Sequence, residues 1–321
     1  MRIASLLPAA TDIVYALGLG DDLVAATFEC TVPASSRDKV AIIVGGLDTS
    51  TMSPGEIDAY VRGQSAPGGD LYTLHEGALR AAAPDLVLTQ DLCRVCAIDQ
   101  GRVDDALRHL GCAAEVVTLD PHTLDGVLES IAAVGRSAAA DTAAARLVRQ
   151  LRDRLSSVEE SVRGLARPRV AVIEWIEPVF GAGHWIPDMV EAAGGRPVAC
   201  HPHARSAPTS WDAVGSERPE VVIVAPCGFD LAGAADQASA VARHLPGAEV
   251  WAIDADALVV RPGPRVVDGV EAIAGILHPQ ATAGRPDAVQ RVQPSTSART
   301  DAGTSMPVLK SGAGAGAPYE A

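Results

Sequence analysis

The strongest constraint on the fold is an alternation of short apolar segments with helical segments, which occurs in two rounds along the chain. The first round contains "RIASLL", "LVAATF", "PDLVLTQ" and "AAEVVTLD", and the second contains "RVAVIEW", "EVVIVAP" and "EVWAID". Alternating strands and helices are typical of parallel sheets with helices on both faces. We therefore predict an α/β fold of two Rossmann-like parallel-sheet lobes.

A long helical stretch separates the two rounds. The segment "DTAAARLVRQLRDRLSSVEESVRGL" is rich in helix-forming residues and contains no proline before Pro168. Leu147, Leu151 and Leu155 recur at the spacing i, i+4, i+8, which places them on one face of a helix. We predict that one long helix joins the lobes and leaves a ligand cleft between them.

These patterns divide the chain into four regions. We expect an N-terminal α/β lobe at 1–125, a linking helical segment at 126–165 and a C-terminal α/β lobe at 166–280. The tail at 281–321 is rich in Ala, Gly, Ser, Thr and Pro and has no apolar period, which predicts disorder.

Charge and hydropathy exclude several partners. The net charge of -14 argues against binding to nucleic acid or to an anionic membrane surface. No apolar run reaches the ~18–20 residues of a membrane span. Because "RIASLL" already reads as the first strand, we expect a cytoplasmic protein, or an extracytoplasmic one if the true start lies upstream. A nucleophile elbow, a phosphate-cradling glycine loop and an HExxH motif are all absent from the sequence.

The candidate ligand site lies in the loops that follow the predicted strands, because open parallel sheets bind ligands beyond the carboxyl ends of their strands. Aromatic residues make up only 3% of the chain, yet several occur in these loops. The candidate ligand-binding residues are Phe28, Cys30, Cys93, Cys96, Glu174, Trp175, His184, Trp185, Cys227, Phe229 and Arg261.

The segment "TQDLCRVCAID" carries a Cys-x-x-Cys directly after a predicted strand. Such a pair is typical of a redox couple or of half a metal site. Thiolates of Cys93, Cys96 and Cys30 together with the imidazole of His184 would suit zinc, copper(I), haem iron or corrinoid cobalt. The alternative is that each cysteine is a small buried apolar side chain.

Residues 2 to about 279 resemble the cobalamin and iron-siderophore class of ABC-transporter substrate-binding proteins, and most closely its cobalamin-binding-protein-like branch with a "DLCRVCA" segment. The resemblance rests on "RIASLLPAATDIVYALGLGDDLVAATFEC", "APDLVLTQDLC" and "LVVRPGPRVVDGVEAIAGILHP". It implies a binding protein rather than an enzyme, whose ligand is cobalamin or a related corrinoid, tetrapyrrole or metal chelate. It also implies an ABC permease as partner, whose arginines meet one surface carboxylate on each lobe, here Glu76 and Asp212.

A second hypothesis comes from a different functional class. The apparent lack of a signal peptide and the Cys-x-x-Cys favour a cytoplasmic thiol-based metal-binding or redox protein, or an enzyme, that reuses the same scaffold.

Overall fold

The computed structural model describes residues 1–49, 51–64, 71–90 and 113–292, which form two α/β lobes. The N-terminal lobe contains the strands β1 (Ile3–Ser5), β2 (Leu23–Thr27), β3 (Ala41–Gly46), β4 (Tyr72–Leu74), β5 (Leu86–Gln90) and β6 (Glu115–Leu119). Its α-helices are α1 (Pro8–Ala16), α2 (Pro54–Gln64), α3 (Glu76–Ala82) and α4 (Leu124–Ser137), and short 3-10 helices occupy Gly20–Asp22 and Ala34–Lys39.

The helix α5 (Asp141–Val162) leads into the C-terminal lobe. The strands of that lobe are β7 (Arg169–Ile176), β8 (Val179–Gly181), β9 (Gly183–His184), β10 (Arg196–Pro197), β11 (His201–Pro202), β12 (Ala207–Pro208), β13 (Val221–Val224), β14 (Glu249–Ile253) and β15 (Val289–Val292). Its helices are α6 (Ile186–Ala192), α7 (Trp211–Ser216), α8 (Leu231–His244), α9 (Ala255–Leu258) and α10 (Val266–Leu277).

The sheet of the N-terminal lobe has the strand order β4-β3-β2-β1-β5-β6. All neighbouring strands are parallel except β3 and β4 at one edge. Every residue of β1 and β5 is buried, since helices or loops cover both faces of the sheet centre. This double burial explains why these strands read as unbroken apolar runs rather than as an alternating pattern.

The sheet of the C-terminal lobe is separate and has the order β12-β8-β7-β13-β14-β15, with β10 also paired to β7. Its centre, β7-β13-β14, is parallel, whereas β8, β12 and β15 pair in antiparallel fashion towards its edges. The prediction of two lobes with parallel sheet centres is confirmed, and the antiparallel edge strands are an addition that the sequence did not indicate.

The bridging helix α5 is continuous over 22 residues, as predicted. Leu151 is buried, and Leu147 and Leu155 pack beside it against the large core cluster that runs through both lobes. The helix contacts α4 on one side and α10 on the other, so it links the two lobes by packing as well as by chain connection. Among the described residues, no helix has both the length and the apolar character to cross a membrane.

The helical pattern that precedes α5 belongs to a separate helix, α4. The two helices meet at a short break, 138–140, in which Ala139 adopts a left-handed backbone with φ 53°. Gly135 of α4 lies so close to Ala144 of α5 that a side chain at Gly135 would overlap it. The glycine therefore permits the close packing of α4 against α5.

The prediction that the chain is disordered from 281 onward is wrong for residues 281–292. Strand β15 pairs with β14 as an edge of the second sheet, with Val292 opposite Val250. Arg285 contacts Asp268 (2.7 Å) and Glu271 (3.1 Å), the same carboxylates that bind Arg154 of α5. A short, largely exposed edge strand shows no apolar period, which is why the sequence did not indicate it. Residues 293–321 lie outside the described ranges.

Candidate functional site

The junction between the lobes is built from segments that follow strands. Arg261, after β14, approaches Asp12, which lies beyond β1, at 3.9 Å between Nη1 and Oδ2. At a second point, the backbone N–H of Leu124 donates to Oδ2 of Asp188 across the lobes (2.9 Å). The carboxyl ends of strands from both sheets therefore face one another, which is where an open parallel sheet binds its ligands.

A cavity of about 540 Å³ lies between the two lobes, where α2 of the N-terminal lobe faces the C-terminal lobe. Asp58 and Arg62 line it from the N-terminal lobe, and Ile176, Glu177 and Trp211 line it from the C-terminal lobe. Its volume falls within the ~300–1,000 Å³ typical of small-molecule sites. None of the predicted ligand-binding residues within the described ranges lines this cavity.

Arg261 is held by acidic neighbours. Its Nε and Nη2 atoms donate to the two carboxylate oxygens of Asp256 at 3.0 and 2.6 Å. Across the junction, burial raises the pKa of Asp12, although the charge of Arg261 acts in the opposite direction. The guanidinium of Arg261 thus already has carboxylate partners, so its contribution is to the contact between the lobes as well as to any ligand.

Glu29 lies beside this ion pair and was not among the predicted site residues. Burial raises the pKa of Glu29 to about 7, while the Tyr72 hydroxyl, 3.4 Å from Oε1, and the charge of Arg261 work against that rise. The segment "FEC" contributed Phe28 and Cys30 to the predicted site but not Glu29, because the sequence does not show that the carboxylate between them is desolvated.

We expect Glu29→Gln to change the pH dependence of stability. The folded state retains the Glu29 proton up to about pH 7, whereas the unfolded chain releases it near the ordinary value of 4.5. The stability that this proton contributes is complete below pH 4.5 and is lost as the pH rises to 7. At pH 8 the free energy of unfolding of the glutamine variant should therefore exceed that of the wild type by about 3 kcal/mol.

Urea unfolding at pH 5 and pH 8 measures this difference, and Glu159→Gln on the exposed face of α5 is the matched control. The control should keep the pH profile of the wild type. A Glu29→Gln variant that lost as much stability as the wild type between the two pH values would contradict the buried, protonated carboxyl.

Phe28 and Cys30 are packed within the N-terminal lobe. The Phe28 ring lies 6.5 Å from that of Tyr72 and rests against Gly46 of β3. Cys30 is 7% exposed, and its Sγ accepts a hydrogen bond from the Thr11 hydroxyl at 2.9 Å. Burial raises the pKa of the Cys30 thiol to about 12. A neutral buried thiol is a poor metal ligand because the thiolate is the coordinating form.

Trp175, Cys227 and Phe229 lie at or just beyond the carboxyl ends of β7 and β13. The rings of Trp175 and Phe229 are 6.0 Å apart and tilted by 58°. Phe229 is buried, whereas Trp175 is only partly buried and Cys227 is exposed. The structure therefore groups three of the predicted residues on the face of the C-terminal lobe.

Glu174 organises the loops beside this group. One carboxylate oxygen accepts from the backbone N–H of Gly183 (2.9 Å), and the other accepts from the hydroxyl of Ser206 (2.7 Å). These bonds fix the segment that carries His184, so the geometry gives Glu174 a positioning role.

The neighbouring residues His184 and Trp185 have different environments. Trp185 is 4% exposed, and its Nε1 donates to the carbonyl of Val259 at 2.9 Å. His184 has a left-handed backbone, φ 51°, and its ring centre lies 5.6 Å from that of His122. Burial lowers the pKa of His184 to about 4, and the nearby His122 adds to this effect. Trp185 is thus a core side chain, while His184 lies at the lobe junction.

The predicted thiolate–imidazole metal site is not assembled among the described residues. Cys93 and Cys96 lie outside the described ranges. Within those ranges no three His, Cys, Asp or Glu side chains surround a common point, and Cys30, Cys200 and Cys227 are free thiols. Cys30 packs near Thr11 in the N-terminal lobe, whereas His184 faces His122. The two described members of the predicted set therefore occupy separate environments.

Glu76 and Asp212 are both exposed, and each lies in the first turn of a helix on a different lobe. Their exposure is compatible with contact to another protein. An acid in a first helical turn is also stabilised by the helix dipole.

Comparison with known proteins agrees with this architecture. A family model described as periplasmic binding protein matches residues 3–255. An ABC transporter substrate-binding lipoprotein of Bacillus subtilis (strain 168) is 24% identical over 298 residues, which covers 87% of this chain and 80% of the relative. A protein of Halobacterium salinarum named cobalamin-binding protein is 26% identical over 288 residues, covering 86% and 69%.

Two solved structures share the fold. The periplasmic vitamin B12-binding protein BtuF of Vibrio cholerae matches with a TM-score of 0.62 and 23% identity over 86% of this chain and 96% of that one. A periplasmic haem-binding protein of Pseudomonas aeruginosa matches with a TM-score of 0.63 and 19% identity, covering 92% and 99%. These relatives are described as a lipoprotein or as periplasmic, which gives no support to the cytoplasmic location that the sequence led us to expect. The similarities also give no support to the hypothesis of a thiol-based metal-binding or redox protein.

Proposed function

The chain belongs to the periplasmic binding protein family, and from this membership we propose that it binds a metal-containing small molecule and passes it to an ABC importer. Members of this family are substrate-binding proteins rather than enzymes. The proposed ligand is a cobalamin-like corrinoid, another tetrapyrrole or a metal chelate. The names of the relatives, one cobalamin-binding, one vitamin B12-binding and one haem-binding, support this class of ligand.

The observation that carries the proposal is the opposition of two separate sheets across one bridging helix. The carboxyl ends of β1 and β2 in one lobe and of β7, β13 and β14 in the other supply the segments at the junction. A ligand held between such faces contacts both lobes at once, so its occupancy can be communicated to a partner that touches both.

We propose that the group of Trp175, Cys227 and Phe229 forms the ligand face of the C-terminal lobe. Trp175 is the partly exposed member, and Phe229 packs beneath it. Aromatic rings bury a large apolar area at low conformational cost, which suits a flat macrocycle. Cys227 has an exposed thiol in the same loop as Phe229, and its backbone N–H donates to the carbonyl of Glu174, the residue before Trp175 (3.2 Å).

Titration of the full-length protein with hydroxocobalamin, haemin and ferric siderophores, followed by absorption spectroscopy, tests the proposal. One ligand class should bind with one equivalent, and Trp175→Ala should weaken that binding at least tenfold without changing the unfolding midpoint. Trp251→Ala is the matched control, because Trp251 lies within β14 and donates to Glu249. If no metal-containing ligand binds the wild type, the proposed function is wrong.

The proposed partner is an ABC permease that contacts Glu76 and Asp212. The two carboxylates are exposed and lie on separate lobes, so that a partner with two positively charged sites could engage both. This contact rests on the same family membership as the proposed function.

A further inference from the structure

We propose that His122 and His184, which come from opposite lobes, form a two-histidine site for a divalent transition-metal ion at the lobe junction. The ion would be bound by the protein itself. The inference therefore does not depend on the ligand of the cleft or on the proposed role in import.

The separation of the two rings fits coordination of one ion. An imidazole nitrogen lies about 2.0–2.1 Å from a bound zinc ion, and the ring centre lies about 1.1 Å behind that nitrogen. Two imidazoles on one ion therefore place their ring centres about 5–6.5 Å apart, from tetrahedral to linear geometry. The centres of His122 and His184 are 5.6 Å apart, with an angle of 36° between the rings.

Each histidine also has a buried nitrogen that lacks a hydrogen-bond partner among the described residues. These atoms are Nδ1 of His122 and Nε2 of His184. A buried polar atom without a partner is unfavourable, because it has lost its hydrogen bonds to water without gaining new ones. One metal ion between the rings would give both nitrogens a partner at once.

Asp120 lies beside His122, with its Oδ2 3.4 Å from Nε2, the ring nitrogen opposite the unpartnered Nδ1. A carboxylate behind a ligating histidine is the usual arrangement at protein metal sites, where it fixes the tautomer and makes the ring more basic.

The surrounding charges are mixed. Asp120 and Arg205 both lie close enough to His184 to interact with it electrostatically. Asp188 is engaged by His203 at 2.9 Å and by the backbone of Leu124.

The two imidazole ligands determine which metal ions fit the site. Imidazole ligands suit zinc, copper and nickel. Within the described ranges no third His, Cys, Asp or Glu converges on the pair, so water molecules would complete the coordination. An ion that is bound from both sides of the junction would also hold the two lobes together.

Calorimetric titration of the full-length protein with Zn²⁺, and electron paramagnetic resonance with Cu²⁺, test the site. We expect one equivalent of ion, with His122→Ala and His184→Ala each weakening binding at least tenfold. The double variant should bind little more weakly than either single variant, because both residues ligate the same ion. His201→Ala is the matched control, since His201 is exposed on β11 next to β9 and should not affect binding.

Three results would overturn the proposal. The first is an affinity of His122→Ala for the ion that equals that of the wild type. The second is a loss of affinity in His201→Ala as large as that in the two site variants. The third is loss of the ion from a Cys93→Ser, Cys96→Ser variant while His122→Ala still binds it. His122→Gln provides a second variant of similar volume. We expect His122→Gln to keep an unfolding midpoint close to that of the wild type and to lose one nitrogen ligand from the copper spectrum. These two results together show that the variant loses a metal ligand without a change in folding.

Discussion

Trp185→Ala is expected to lower the free energy of unfolding by about 4 kcal/mol, because removing a buried aromatic side chain leaves a cavity that its neighbours only partly fill. Trp185 is 4% exposed and belongs to the core cluster that extends through both lobes. The same change leaves the carbonyl of Val259 without its indole donor, which adds to the loss. Because Trp185 precedes α6 directly, the position of His184 should also become less well defined.

Urea unfolding of the variant measures this effect, and two comparisons identify its source. Trp185→Phe keeps most of the ring volume but removes the indole N–H, so the difference between Phe and Trp should be about 1 kcal/mol, the contribution of one hydrogen bond. Trp211→Ala is the control for a tryptophan that is stacked on His244 and only partly buried. If Trp211→Ala were as destabilising as Trp185→Ala, burial of Trp185 would not be the cause.

The sequence predicted the fold well because the fold depends on patterns that extend over many residues. The apolar runs of β1, β5, β7 and β13 arise from burial on both faces of a sheet, which covers every residue of β1, β5 and β13 and the residues Val170–Ile173 of β7. The buried face of α5 could be predicted for a similar reason, because Leu147, Leu151 and Leu155 repeat at helical spacing over several turns.

Strand β15 escaped prediction because its four residues are held mainly by backbone pairing with β14. An edge strand of this kind needs no apolar side chains. The contacts of Arg285 likewise depend on carboxylates brought near by α10, which local sequence does not reveal.

The candidate site was predicted less completely, since its polar residues acquire their properties only through contacts across the lobes. His122 lies in "DPHT", directly after β6, where ligand-binding residues of a parallel sheet are expected. Its pairing with His184, however, depends on the arrangement of both lobes. Glu29 became a carboxyl of raised pKa through desolvation, which no residue pattern encodes. Cys30 looked like a ligand by position, but its surroundings make it a neutral buried thiol.

The second large effect concerns the proposed docking surface. Replacing both Glu76 and Asp212 by arginine should reduce ligand uptake through the ABC importer at least tenfold while leaving ligand affinity unchanged. Two exposed carboxylates on separate lobes would become two positive charges, which arginines of a permease would repel. Reversing a charge in a first helical turn costs only about 0.3–1 kcal/mol, so both lobes should remain folded.

Uptake by the importer reconstituted in liposomes is the measurement, with ligand binding by the free protein assayed in parallel. The matched control is Asp125→Arg with Glu159→Arg. Asp125 is also an exposed acid in a first helical turn, at the start of α4, and Glu159 is exposed on α5, so the control makes the same change in net charge. The control should transport normally, whereas normal transport by the Glu76 and Asp212 variant would exclude these carboxylates from docking. Replacing the permease arginines by glutamate should restore uptake to the reversed variant but not to the control, since only direct pairing between the two proteins makes one reversal compensate for the other.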